Sequence, residues 1–176
     1  PATEWVIRSG SHTDSVEKAW WTSPVTRPIW GTQNPDLYRY GAHGREFWLN
    51  ATVGPGTYYV RLKFAATRGL DTCANCVSVS INGQPVVKRM DVAATAGGPD
   101  RAVDLVFSGI QPQHGAIEVR FRGGNEERGL SGEAFVQAVE IGPGPGGRGA
   151  EPVTVLARNL LRNSGFEDWQ KPTTPF

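Results

Sequence analysis

An all-β fold, two antiparallel sheets stacked as a sandwich or jelly roll, follows from three features of the 176-residue sequence. The chain holds 22 glycines and 13 prolines, the punctuation of many short strands joined by turns. Its apolar residues recur at every second position over short runs, as strands buried on one face require. Runs of this kind follow one another closely with hardly a helical stretch between them, which favours a sandwich over any sheet wound with helices.

In chain order, EWVIRS (4–9) is a first strand, after which SHTDSVEKAWW runs out through polar residues to a tryptophan pair. Pro24, Pro28 and Pro35, with Gly31 and Asn34, exclude regular helix or strand between Thr22 and Asp36. A loop this long inside a compact domain is commonly functional. It ends at Leu37-Tyr38-Arg39-Tyr40, and a strand from Phe47 to Val53 follows.

Gly54-Pro55-Gly56 is a turn, and beyond it Tyr58, Val60, Leu62 and Phe64 alternate with Tyr59, Arg61, Lys63 and Ala65, so that one face of this strand is expected to be core. Ile81-Asn82-Gly83-Gln84 places Asn-Gly where a type I′ hairpin needs two residues with positive φ. The loop from Thr67 to Cys76 is left at one end, where binding residues of a β-scaffold usually sit.

Pro85 to Val92 is the returning strand, and AATAGGP (93–99) a small-residue turn. Val103, Leu105 and Phe107 share a face of the next strand, and Ile117, Val119 and Phe121 point inward from its partner, leaving Glu118, Arg120 and Arg122 outside. A second exposed loop spans Gly123 to Gly132, and EAFVQAVEI (133–141) closes the set. The main domain is expected over 1–142, a Gly/Pro linker over 143–151 and a strand or tail over 152–176.

Lysine plus arginine (18) nearly cancels aspartate plus glutamate (17), so there is no basic field for a phosphate backbone and nucleic acid is not expected. No apolar run approaches the roughly 20 residues of a membrane helix. Cys73 and Cys76 have no second ligand pair for zinc and no strand-to-helix setting for redox chemistry; a short disulfide pinning the loop, or two thiols, is the remaining choice. A disulfide there implies an oxidising compartment, secreted, extracellular or periplasmic. The start at Pro1 without a signal peptide reads as a processed or excised piece of something longer.

Six tryptophans are more than one small core explains. A pyranose offers an apolar face of C–H groups and a rim of hydroxyls, so a sugar site needs flat rings and a few fixed polar groups. Trp21, Trp30, Tyr38 and Tyr40 are candidate rings, and Arg68, Asp71 and Glu133, with Asn125 to Arg128, candidate polar partners. Each has a plainer reading as loop packing or a solvated turn. The acids are too scattered for a glycosidase pair, and His12-Thr13-Asp14-Ser15 has triad residue types only as sequence neighbours, so catalysis is not expected.

The ordered set SHTDSVEKAWW, LYRYG, GTYYVRLKFAA, VSVSINGQPVVKRMDV with AGGPDRAV, and GEAFVQAVEI resembles the malectin-like carbohydrate-binding domains over about residues 4–142. The resemblance implies a galactose-binding-like jelly roll holding a di- or oligosaccharide in loops at one end, as in accessory modules of glycoside hydrolases and in plant receptor kinases. By position, the family's aromatic ahead of the central hairpin falls on Tyr38 or Tyr40, and its acidic residue ahead of the last strand falls near Gly132, with Glu133 the nearest carboxylate. The aromatic pair that the family's glucose-binding lectin carries after Phe-Ala-Glu falls on Arg68 and Gly69, so its glucose specificity is not expected here. Related sandwiches often hold structural calcium, but no run of alternating oxygen ligands is present for it, and no other cofactor is implied. NLLRNSGFEDW (159–169) resembles the opening strand of another bacterial jelly-roll carbohydrate-binding module. The expected function is non-catalytic binding of an oligo- or polysaccharide, with neighbouring domains of the same polypeptide as further partners. The alternative is a structural or adhesive unit of an extracellular assembly.

Overall fold

The computed structural model describes residues 7–11 as backbone, and residues 23–68, 76–124 and 132–144. Trp21, Asp71, Cys73, the acidic run from Asn125 to Arg128, the linker and the tail with its second resemblance lie outside the described residues.

The strands, in order, are β1 (Ile7–Ser11), β2 (Ala42–Gly44), β3 (Glu46–Thr52), β4 (Tyr58–Ala65), β5 (Val77–Ile81), β6 (Gln84–Met90), β7 (Ala102–Ile110), β8 (Ala116–Arg122), β9 (Ala134–Val136) and β10 (Ala138–Pro143). They form a five-stranded sheet β1-β3-β8-β5-β6, a three-stranded sheet β10-β4-β7 and a small pair β2-β9, and every pairing is antiparallel. The fold is the all-β sandwich expected from the alternation.

The core lies between the two larger sheets. Val60, Leu62 and Phe64 of β4 and Val103, Leu105 and Phe107 of β7 face Phe47, Ala51, Val79, Ile117, Val119 and Phe121 of the other sheet, all buried. Phe47 and Phe121 are register partners, and their rings stack with centroids 4.8 Å apart. Such a pair contributes about 0.5–1.5 kcal/mol beyond its buried area. The Asn82-Gly83 hairpin has the two positive φ values, 49° and 77°, that its type requires.

Three expectations change. Residues 93–99 are not simply a turn: Asp91 caps a short helix, α1 (Val92–Ala96), by accepting from Ala94 N at 2.9 Å, and Gly97 ends it at φ 79°. Small residues supply the helix propensity and the flanking pair supplies the stop signals, so the segment satisfies its own backbone locally. The expected closing strand is two strands broken at Gln137, whose side chain turns inward to bond Ala65, with Oε1 accepting from N at 2.9 Å and Nε2 donating to O at 2.6 Å. Third, β4 is buried on both faces, because the 23–41 segment covers the side carrying Arg61 and Lys63.

The β3–β4 and β7–β8 turns lie at one end of the sandwich, around a hollow of about 510 Å³ lined by Val53, Pro55, Thr57, Gln111 and Pro112 among others. The end of β4, the start of β7, the β2-β9 pair and the 23–41 segment lie at the other. Among the described residues no helix is long and apolar enough to cross a membrane.

Candidate functional site

The outer face of the three-stranded sheet is charged, and a charged face cannot be left dry without partners. Lys63 and Asp104 are register partners across β4 and β7, and Lys63 Nζ donates to Asp104 Oδ2 in a contact with almost no access to solvent. Tyr38 O–H donates to Asp104 Oδ1 at 2.5 Å, and the Lys63 ammonium stands 5.7 Å from the centre of the Tyr38 ring. Beside them Arg61 Nη1 donates to Glu140 Oε2 at 3.2 Å, and Tyr59 O–H donates to Glu140 Oε1 at 2.5 Å.

Burial pushes the Asp104 carboxyl above its ordinary range, while Lys63, Tyr38 and Arg61 pull it back. The same burial lowers the Arg61 guanidinium against the opposing pull of Glu140. Burial, then the bond to Glu140, raises the Tyr59 phenol to about 12. The Lys63, Asp104 and Tyr38 group is thus sealed from water, whereas the Glu140 carboxylate beside Arg61 stays 37% exposed.

Tyr38 is therefore a correction. Expected as a ring for a sugar, it is fully buried with Val25, Ile29, Ala65 and Ala102, and serves as the plug that seats the loop on the sheet. Its hydroxyl needs a buried acceptor, and Asp104 supplies one.

The rest of the loop is tied down along its length. Val25 N bonds Arg39 O at 2.8 Å, and Arg39 Nη1 returns a bond to Val25 O at 2.7 Å. Arg27 grips Asp100 with two bonds, Nε to Oδ2 at 3.0 Å and Nη2 to Oδ1 at 2.9 Å, and also donates to Thr67 O. That grip raises the Arg27 pKa still further. Trp30 forms a parallel bridge with Arg101: Trp30 N donates to Asp100 O and Ala102 N to Trp30 O, both at 2.8 Å.

This anchoring decides which rings face out. Ile29 and Ala102 turn into the small apolar cluster, so Trp30 and Arg101, one residue away on each strand, turn outward. Trp30 is 60% exposed, Tyr40 49% and Leu37 48%, the large apolar side chains most open to solvent among the described residues. Two of the expected rings are thus displayed and one is spent on packing.

Arg68 donates from Nη2 to Ser23 O at 2.7 Å, joining the loop to the end of β4. Glu133 Oε2 lies 2.8 Å from His43 Nδ1, beside the β2-β9 pair and half exposed. Both sit at the loop-bearing end. Cys76 is buried at the start of β5, and its expected disulfide with Cys73 falls outside the described residues.

Sequence reasoning missed Asp104 and Lys63, and a signal for them existed. Two cations in the outward register of β4 demand counter-charges, and an aspartate in an otherwise apolar strand is a natural source. Arg101 was missed as well, since only the bridge to Trp30 sets it beside a ring. Among the described residues no group of three or more His, Cys, Asp or Glu side chains is placed to hold a metal ion.

No family model matches the chain, and no curated protein does. Solved structures do. The plant receptor-like kinase FER is similar at 22% identity and a TM-score of 0.58 over 72% of this chain and 34% of that one. The ANX2 ectodomain of Arabidopsis thaliana is similar at 16% identity and 0.59, over 70% of this chain and 33% of that one. A β-glucuronidase of Bacteroides uniformis is similar at 18% and 0.56, over 80% of this chain and 14% of that one. The chain spans about a third of the receptor structures' length, and at these identities the likeness is one of fold: a malectin-like β-sandwich.

Proposed function

We propose that this malectin-like sandwich is a non-catalytic carbohydrate-binding module of a secreted, multi-domain protein, and that it engages oligo- or polysaccharide with the 23–41 loop. The observation that carries this reading is Trp30: a large side chain 60% open to water, on a backbone held by two hydrogen bonds to the start of β7. An exposed indole costs solvation free energy, and fixing its backbone removes the loop-ordering part of the entropy that stacking on a sugar would otherwise cost. Tyr40 supplies a second open ring, and Arg68 and Glu133 supply further polar partners at the same end; Trp21 and Asp71, partners expected from the sequence, lie outside the described residues. The extracellular setting fits the ectodomains whose fold it shares.

Affinity gel electrophoresis against a panel of polysaccharides tests this. Trp30→Ala is expected to weaken retention about ten-fold, or about 1.4 kcal/mol, and Tyr40→Ala to weaken it less. Retention by no polysaccharide contradicts the proposal.

One observation favours the adhesive alternative. Leu37 is 48% exposed on the same loop and has no flat face for a sugar, but fits an apolar protein contact. On that reading the chain associates with a protein through the loop, and Leu37→Ser abolishes concentration-dependent association seen by sedimentation while no glycan is bound.

A further inference from the structure

Arg101 is an exposed cation beside the displayed ring. In a parallel bridge the paired residues project to the same side, and here burial on both neighbours confirms it, since Ile29 and Ala102 are in and Trp30 and Arg101 are out. Its sequence neighbour Asp100 would normally neutralise it. Both oxygens of Asp100 are instead engaged by Arg27, and Arg101 makes no side-chain hydrogen bond or ion pair among the described residues. The carboxylate of the 23–41 loop itself, Asp36, is engaged by Arg39 Nε at 2.7 Å. A guanidinium with no side-chain partner among the described residues is therefore carried by the residue bridged to the open indole, on the same side of the backbone, in a chain whose net charge is only +1.

We infer that Trp30 and Arg101 form a subsite for an acidic sugar, a hexuronate whose ring lies on the indole while its carboxylate takes the guanidinium. This rests on the carbohydrate-binding reading and adds the sugar class to it. A hexuronate carries its carboxylate on the rim of the ring, within reach of a donor at the edge of the stacking surface. The planar fork of arginine matches the two carboxylate oxygens, as a lysine would not. The site is shallow, so avidity along a polymer supplies useful retention.

The test is affinity electrophoresis in gels of alginate, polygalacturonate and hyaluronan, beside the propylene glycol ester of alginate, dextran sulfate and neutral polysaccharides, with the chain in its full length. The expected result is retention on at least one polyuronate, with loss on the ester and on dextran sulfate. Arg101→Gln is expected to weaken retention roughly ten-fold or more, given the strength of a charge-assisted bond, and Arg101→Lys to recover part of it. Trp30→Ala is expected to weaken retention about ten-fold as well. Equal retention on alginate and its ester, or by wild type and Arg101→Gln, overturns the acidic subsite and leaves sugar binding standing. Equal retention on dextran sulfate reduces it to charge attraction and overturns it too. Retention on neutral polysaccharides alone overturns the subsite, and retention on nothing overturns the carbohydrate-binding reading with it. Variant folding is verified by thermal unfolding; both side chains are exposed, so midpoints close to wild type are expected.

Discussion

Tyr59 can lie flat on the last sheet edge only because position 142 lacks a side chain. A Cβ on Gly142 would stand 2.5–2.7 Å from the ring, closer than real contacts allow. Gly142→Ala is therefore expected to destabilise by about 1–3 kcal/mol, read by urea unfolding, and Gly142→Ala with Tyr59→Leu to recover part of that. The same tyrosine sets an alkaline limit. Its phenol stays protonated to about 12, whereas an unfolded chain loses that proton near 10.0. Above that value the unfolded state sheds a proton that the native state keeps, so its contribution is fully present below pH 10.0 and is lost as pH climbs towards 12. Denaturation midpoints from pH about 9 to about 11.5 are expected to fall, with a smaller slope in Tyr59→Phe; equal slopes would contradict the assignment. The Lys63, Asp104 and Tyr38 group behaves as a unit. Lys63→Met strands a buried carboxylate and is expected to cost about 3–5 kcal/mol. Combining it with Asp104→Leu and Tyr38→Phe removes every member, and most of the loss is expected to return; additive losses in the cycle would show the three to be independent.

At the scale of elements, the 23–41 loop is irregular in sequence and held at fixed points in space. Its prolines announce a loop, and that much was legible. Which of its rings are buried was not, because Tyr38 and Tyr40 differ only in what lies beneath them: Asp104 for one and water for the other. The register Lys63↔Asp104 that creates the buried acceptor exists only once β4 pairs with β7. In the same way Ala93–Ala96 reads as a turn until Asp91 and Gly97 are seen to cap it. If the Arg27 to Asp100 grip holds the loop down, Arg27→Ala is expected to leave the global unfolding midpoint nearly unchanged while chymotryptic cleavage at Trp30, Leu37 or Tyr40 accelerates. Cleavage at the wild-type rate would place the restraint elsewhere. Gly123 is a harder constraint: a Cβ there would meet Ala134 N at 2.2 Å, backbone that cannot yield, so Gly123→Ala is expected to loosen the β2-β9 pair and the Glu133 to His43 contact beside it.

For the molecule as a whole, alternation in β4, β7 and β8 and the Asn-Gly hairpin were enough to read the sandwich, because each inward face needs the other sheet to be dry. The proposed binding end is less legible: a ring on a loop has no period, and its exposure depends on long-range packing. Two sheets, a charged outer face and a loop seated on that face together turn Trp30 outward and hold it there. The most direct test follows that single ring. In a proton–nitrogen correlation spectrum, with the Trp30 indole signal assigned by Trp30→Phe, oligosaccharide from the best-retained polymer is expected to shift that signal in a saturable way and leave the Trp48 indole, stacked 4.9 Å from Arg120 on the far sheet, in place. A saturable response elsewhere with the Trp30 signal unmoved would contradict the proposal that this loop is the binding surface.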